Sequence, residues 1–323
     1  MKSDITDVLG VRVGHAQDET AITGCTVLLF DQPVVAGVDV RGSAPGTRET
    51  DLLRPGNLVK SIHGLLLTGG SAFGLDAAGG VMRYLESKRI GFDTGYARVP
   101  IVPAAVIYDL GIGDSRVRPD AAMGERACAE ATDESVVWGN IGAGIGATVG
   151  KIFGIQYAMK GGIGSSSVSL GNGAVVAAVV VVNCFGDVYD NTTGRIVAGA
   201  INPNTGKLVG TRNLMIQGYG TQDSAGQNTT LGVVATDAVL DKESATKVAQ
   251  MAHNGLARSI DPVHTMFDGD TIFCVSTGKV ASDVTAIGTA AAHVVQKAVL
   301  NAVKHVDTLG GVASARAFSE QKK

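Results

Sequence analysis

The sequence holds no apolar run long enough to cross a membrane. Its longest, Ala174 to Val182, falls well short of the ~20 residues such a helix needs. The opening residues, Met1-Lys2-Ser3-Asp4-Ile5-Thr6-Asp7, show no apolar stretch of a secretory leader. Cysteine is scarce: Cys25, Cys128, Cys184 and Cys274 stand far apart, with no CxxC and no metal-like spacing. They read as buried free thiols of a protein from the reducing cytoplasm, not as a disulfide framework. The six histidines (15, 63, 253, 264, 293 and 305) form no HExxH or other ligand spacing, so no metal is expected. No GxSxG elbow occurs, since Gly70-Ser71-Ala72-Phe73-Gly74 has the wrong spacing, and a Ser-His-Asp hydrolase is unsupported. With 27 basic and 30 acidic residues there is no basic footprint for nucleic acid.

Two glycine-rich segments come close to nucleotide motifs and fail. Gly142-Ala143-Gly144-Ile145-Gly146-Ala147 contains GxGxxA, but the acidic residue required ~20 positions on is missing, the next being Asp187. Gly150-Lys151 is no phosphate loop, because Ile145 replaces the first glycine and Ile152 the Ser or Thr. No organic cofactor is expected. Acidic residues are absent altogether between Ser135 and Gly186.

Against these absences, glycine is abundant, 44 residues where the usual share of ~7% would give about half that. A hydrophobic fraction of 45% with 18% charged residues describes a globular chain with a sizeable core. Apolar runs of strand length alternate with helical periods. Residues 25–30 and 34–40 read as a hairpin about Asp31-Gln32-Pro33. Gly64 to Thr68 is a buried strand leading through Gly69-Gly70 into a helix, Ser71 to Lys88, with Ser71 as N-cap. A second helix is predicted from Pro119 to about Ala131. Ala174 to Val182, β-branched and apolar on both faces, predicts a central strand covered on both sides. A polar stretch over 202–228 reads as a long exposed loop. It is followed by a strand (Thr229 to Thr236), a helix (Lys242 to Ser259, capped by Asp241), a strand (Thr271 to Val275) and a helix (Ser282 to about Val306). With no repeat and no linker, residues 1–323 read as one α/β domain with sheets covered by helices.

The junction Gln227-Asn228-Thr229-Thr230-Leu231 ends the polar loop and opens an apolar strand. On its own it is an ordinary strand entry. Cleavage of the Asn228–Thr229 bond, however, would leave Thr229 as a new N-terminus at a strand end. An α-amine has a pKa near 8, so a useful fraction is neutral at pH 7 and can take the proton of its own residue's hydroxyl. Nucleophile and base would then reside in one residue, and no catalytic histidine would be needed. Thr230 is the competing choice from sequence alone, although its side chain points to the opposite face of the strand.

Several segments, in order, resemble the DmpA-like family of self-processing aminopeptidases: Thr68-Gly69-Gly70-Ser71-Ala72-Phe73-Gly74-Leu75-Asp76-Ala77, Ala105-Val106-Ile107-Tyr108-Asp109, Asn228-Thr229-Thr230-Leu231-Gly232-Val233-Val234-Ala235-Thr236-Asp237 and Pro262-Val263-His264-Thr265-Met266-Phe267-Asp268-Gly269-Asp270-Thr271. The family includes L-aminopeptidase/D-amidase-esterases, β-peptidyl aminopeptidases and nylon-oligomer hydrolases, and the resemblance spans nearly the whole chain. It implies an αββα sandwich of the type shared with ornithine acetyltransferases, similar to N-terminal-nucleophile hydrolases but with different connectivity. It further implies self-cleavage into residues 1–228 and 229–323, with Thr229 as nucleophile.

By the same resemblance Asn183 and Tyr108 are partners of the developing oxyanion, and Lys151 sits near the nucleophile, where its charge lowers the nucleophile's pKa. Asp268 and Asp270 would anchor the new α-amine. Read from the residues alone, the same positions are a turn asparagine, a half-buried aromatic, a solvated lysine and an ordinary Asp-Gly-Asp turn. The two-Asp, Thr-nucleophile pattern follows the nylon-hydrolase branch, so β-peptide specificity is not carried over. Gly69, Gly70 and Ser71 would place backbone N–H groups at a helix N-terminus to bind a substrate or intermediate oxygen. The expected partners are small peptide, amide or ester substrates, with neither membrane nor nucleic acid. The expected assembly is a homo-oligomer, tetrameric or larger, of α–β heterodimers. An acyltransferase of the ornithine acetyltransferase type is the alternative.

Overall fold

The computed structural model describes residues 2–219 and 228–320. A nine-stranded sheet organises it. The strands are β1 (Val11–Asp18), β2 (Thr23–Val40), β3 (Ile62–Thr68), β4 (Ala104–Val106), β5 (Gly162–Ser169), β6 (Val175–Asn183), β7 (Thr229–Ala238) and β8 (Thr271–Val280), with Thr47–Arg48 as a short edge piece. Their order is β5-β6-β7-β8-β2-β3-β4-edge, with β1 also paired to β2. The major helices are α1 (Ala77–Ser87), α2 (Ala121–Ala129), α3 (Lys242–Ala257) and α4 (Val284–Lys304).

The sheet is folded into two layers about β2. Residues 23–40 do not make the expected hairpin; they run as one 18-residue strand through Asp31-Gln32-Pro33. Cys25 to Leu29 pair with β3 and with β1, whereas Val35 to Val40 pair with β8. Each half is held by a different neighbour, so the chain stays extended where a turn would otherwise close. Pro33 falls where the β2–β3 register shifts, between Leu29 and Val34, a place that does not need its missing N–H.

Strand alternation then sorts the side chains into layers. On β6, Ala177, Val179 and Val181 join Leu28, Phe30, Leu65, Leu67, Val233 and Phe273 in the core between the sheets. Its even-numbered residues, Val176, Ala178, Val180 and Val182, pack instead with α3 and α4 through Val248, Ala252, Val294 and Val295. The far face of the other sheet (Cys25, Val27, Leu29, Leu66) meets α1 and α2 through Val81, Leu85, Met123 and Ala127. Four layers result: helices, sheet, sheet, helices. The run Val175–Asn183 is thus covered on both faces, as its composition predicts.

The helix starts differ in part from expectation. Asp241 caps α3 by accepting from Ser244 N–H at 2.8 Å, as predicted. Ser71, in contrast, caps nothing. It lies at φ +53° after Gly70 at +79° and opens a 3₁₀ turn, Ser71–Asp76, from which α1 continues. The second helix begins at Ala121, not Pro119, because Asp120 accepts from Met123 N–H at 2.8 Å and fixes its first turn. The polar stretch from 202 contains a short helix, Thr211–Ile216, while residues 220–227 lie outside the described residues.

The close contact of β2 with α3 depends on Gly37, where a Cβ would stand 2.3 Å from Thr246 N and 2.6 Å from the Ala245 carbonyl carbon. Gly37→Ala is expected to cost about 1–3 kcal/mol through overpacking. Gly171→Ala, at a position open to solvent, is the matched control. Thermal melts of the two variants check this: Gly37→Ala lowers the midpoint and Gly171→Ala leaves it in place.

Candidate active site

Strand register builds the centre of the site. In the antiparallel β6–β7 pair, Asn183 stands directly opposite Thr229, each at the end of its strand. Both are odd-numbered, so both share the face that leads into the core between the sheets, and both are buried. Thr230 faces the other way, toward the α3/α4 side.

The Thr229 hydroxyl donates to the carbonyl oxygen of Asn228 at 2.5 Å. The same oxygen accepts the Gly269 N–H at 2.9 Å, across a bridge between Asn228 and Asp268. Two donors therefore converge on the carbonyl that precedes Thr229. Gly269 has no room for a side chain, since a Cβ would meet Thr229 Oγ1 at 2.7 Å and Ala44 O at 2.6 Å.

Asn183 is fully engaged on its oxygen. Oδ1 accepts from Lys151 Nζ (2.8 Å) and Thr148 N (3.0 Å), while Nδ2 donates to the Tyr108 carbonyl (3.0 Å). Lys151 Nζ also donates to the Asn183 main-chain oxygen at 3.1 Å. Burial pushes the Lys151 pKa down to about 8, against the opposing pull of Cys184 and of the carboxylates Asp268 and Asp270. Tyr108 reaches this cluster through its main chain.

The carboxylates on either side of Gly269 have separate partners. Asp268 Oδ2 accepts from Thr265 Oγ1 (2.6 Å) and Thr265 N (2.9 Å), and Oδ1 accepts from Phe185 N (3.3 Å). Burial, followed by the like charge of Asp270, raises the Asp268 pKa to about 6. Asp270 Oδ1 accepts the Thr230 N–H at 2.6 Å, and its Oδ2 faces His264.

Thr229, Asn228, Asn183, Lys151, Tyr108, Asp268 and Asp270 are thus brought to one place. The turn Gly69-Gly70-Ser71 plays a different part from the expected oxyanion cradle. Its three N–H groups are spent inside the fold: Gly69 on Gly24 O, Gly70 on Asp109 Oδ1 and Ser71 on Ile107 O. The last two of those bonds hold the chain on both sides of Tyr108, at Asp109 and Ile107. Gly142 and Ala143 donate to Gln17 and Thr26 side chains, so the GxGxxA segment is a packed turn against β1 and β2.

Residues 3–317 match peptidase family S58. The chain belongs to that family. An uncharacterized aminopeptidase of Mycobacterium leprae is 41% identical over 96% of this chain and 92% of its own. A 6-aminohexanoate-oligomer endohydrolase of a Kocuria strain is 32% identical over 92% of this chain and 85% of its own. The fold of this S58 chain is similar to that of a Burkholderia β-aminopeptidase (TM-score 0.71, 22% identity, 99% and 93% covered). It is also similar to the L-aminopeptidase D-Ala-esterase/amidase of Ochrobactrum anthropi, described as a variant of the Ntn-hydrolase fold (TM-score 0.74, 20% identity, 99% and 94% covered). The αββα sandwich and the hydrolase class follow for this S58 member.

Sequence reasoning missed four contributors to the candidate site: Thr148, Thr265, His264 and the Gly269 N–H. His264, Thr265 and Gly269 lie inside the 262–271 motif, but the contacts that bring them to the site form only on folding. Thr148 gave no signal, since what places it is its pairing with Lys160 in the short Thr148–Val149 and Met159–Lys160 ladder. Lys160 is itself buried, donates to the Ile145 and Ala147 carbonyls at 2.8 and 2.6 Å, and has its pKa pushed down by burial to about 7.

A pH dependence follows from Lys151. Its folded value of about 8 lies below the ordinary 10.5. Between those values the unfolded chain binds the extra proton, so this group makes stability rise with pH across that window. Lys151→Met is expected to flatten part of the rise in thermal midpoint from about pH 8 upward. The share due to Lys160 should remain.

Proposed function

We propose that this S58 hydrolase is a self-processing N-terminal-threonine aminopeptidase/amidase. The hydrogen bond from Thr229 Oγ1 to the carbonyl oxygen of Asn228, at 2.5 Å with Gly269 N–H on the same oxygen, carries the reading. It puts a hydroxyl nucleophile against the bond to be broken and supplies a donor for the charge that develops on its oxygen.

Processing proceeds in two steps. Thr229 Oγ adds to the Asn228 carbonyl carbon, the C–N bond breaks and the hydroxyl proton passes to the Thr229 nitrogen, transferring the acyl group from nitrogen to oxygen. Water then hydrolyses the ester, releasing residues 1–228 with a new carboxylate and residues 229–323 with a free α-amine. Positive charge on Lys151 favours the ionised hydroxyl.

In turnover, Thr229 Oγ attacks an amide or ester carbonyl and its own α-amine takes the proton, directly or through water. Asn183 Nδ2 spends one hydrogen on the Tyr108 carbonyl and has a second for the oxyanion. The Tyr108 hydroxyl is the second proposed oxyanion partner. Asp268 and Asp270 anchor the ammonium form of the new terminus through charge-assisted hydrogen bonds. The leaving amine departs with a proton, and water frees the acyl group from Thr229.

The names of its relatives point to small peptides, amides and 6-aminohexanoate oligomers as the substrate class. Family membership does not favour the acyltransferase alternative. Homo-oligomers of processed heterodimers, and a cytoplasmic location, complete the proposal. No helix among the described residues is long and apolar enough to cross a membrane.

Intact mass under denaturing conditions tests the processing step. The expected result is two species, the smaller beginning at Thr229 with a mass of roughly 10 kDa by proportion of the 32.9 kDa chain. Thr229→Ala should stay whole and inactive; splitting of that variant at the same bond overturns the assignment of the nucleophile. Asn183→Ala, assayed on an L-alanine p-nitroanilide probe, is expected to lose on the order of 10²–10³ in kcat. A loss confined to KM would count against an oxyanion role.

A further inference from the structure

Among the described residues, His264 is the one imidazole that contacts the site residues described above, and the proposed chemistry gives it no role. It is held at φ +57°, a left-handed conformation that Gly adopts freely and Asn tolerates, and that costs other residues energy. Two bonds accompany the strain, and both end on one atom. His264 main-chain N–H (3.1 Å) and ring Nδ1 (2.7 Å) meet Asp270 Oδ2. With Oδ2 as acceptor, Nδ1 carries the proton.

The other carboxylate oxygen takes the Thr230 N–H at 2.6 Å. Asp270 is thereby clamped between the imidazole and the amide that immediately follows Thr229. The ring is braced from behind, where His253 packs edge-on with centroids 4.8 Å apart, its own Nε2 being 3.1 Å from the Asp39 carbonyl oxygen. His264 Nε2 is buried without a hydrogen-bond partner among the described residues. A nitrogen left in that state is costly, so the ring's orientation is set for Nδ1.

We propose that His264 is a positioning residue for the Thr229 nucleophile, acting through Asp270. The imidazole N–H fixes the Asp270 rotamer. Asp270 holds the Thr230 amide, and this fixes the start of β7 so that Thr229 Oγ stays on the Asn228 carbonyl. After cleavage, the same clamped carboxylate is held in place to orient the new α-amine. The inference rests on Thr229 being the nucleophile.

Three variants separate the ring's hydrogen bond from the backbone strain. His264→Asn keeps an N–H donor at the same branch of the side chain and tolerates positive φ. His264→Gly tolerates positive φ and has no donor. His264→Leu has neither property. Each is followed by the half-time of self-cleavage, read by intact mass, and by kcat and KM on L-alanine p-nitroanilide, with thermal melts alongside.

The expected result is that His264→Asn stays within about 3-fold of the parent. His264→Gly and His264→Leu should lose roughly 10- to 100-fold in both self-cleavage rate and kcat, the scale of a charge-assisted hydrogen bond, with little change in KM. A His264→Gly chain that splits and turns over at the parent rate overturns the role of the ring, and so does a folded His264→Asn chain as slow as His264→Gly. A parent chain that never splits, or a Thr229→Ala chain that does, overturns the underlying reading of Thr229 as well.

Discussion

The pairing of β6 with β7 is the constraint on which the rest of the molecule depends. Once Asn183 is set opposite Thr229, the two-residue period of a strand decides which neighbours face the interior and which face the helices. A slip of one residue would send the threonine hydroxyl toward α3 and α4 and bring Thr230 in its place. The register is secured by valine- and alanine-rich strands whose two faces must each find a core. Packing over the whole length of the strand thus fixes which side chains meet at its end.

Around that pair the fold accumulates buried charge that is costly by itself. Lys151 and Lys160 are both buried, and burial lowers both of their pKa values. Asp109, Asp187 and Asp268 are buried too, and burial raises theirs. Each is offset by specific hydrogen bonds: carbonyls for the lysines, backbone N–H groups and threonine hydroxyls for the aspartates. Much of the irregular chain between strands serves to carry those partners. The segment from Ser135 to Gly186 has no carboxylate of its own, so the acidic charge near its two lysines comes from Asp109, Asp268 and Asp270, on other elements.

Much of this is legible in the sequence, and the exceptions have identifiable causes. Ala174 to Val182 declared a doubly covered strand because β-branched residues occupied both of its faces. Asp241 declared a helix start because the apolar period began just after it. The β2 segment misled because Asp31-Gln32-Pro33 has turn chemistry, and only its pairing with β3 and β8 keeps it extended. Ser71 misled in a similar way, as the serine occupies a left-handed position and its hydroxyl is not used as a cap. Tyr108, Thr229, Asp268 and Asp270 lie inside the motifs that carry the family resemblance, whereas Asn183 and Lys151 lie outside them. Residues acting through a partner, such as Thr148 on Asn183, depend on distances that no spacing along the chain encodes.

The placement of β7 has a consequence for the molecule's physical character. The strand is interior to its sheet, with β6 on one side and β8 on the other, and β8 in turn is joined to β2. The two strands that follow position 228, β7 and β8, are therefore flanked on both sides by strands that precede it. Opening the main chain at that point would turn an association within one polymer into one between two. Assembly of the separated pieces would become second order in concentration, while the seam of β-ladders on both sides would keep their spontaneous separation slow. Such a protein would inherit its shape from a covalent connection it no longer possessed.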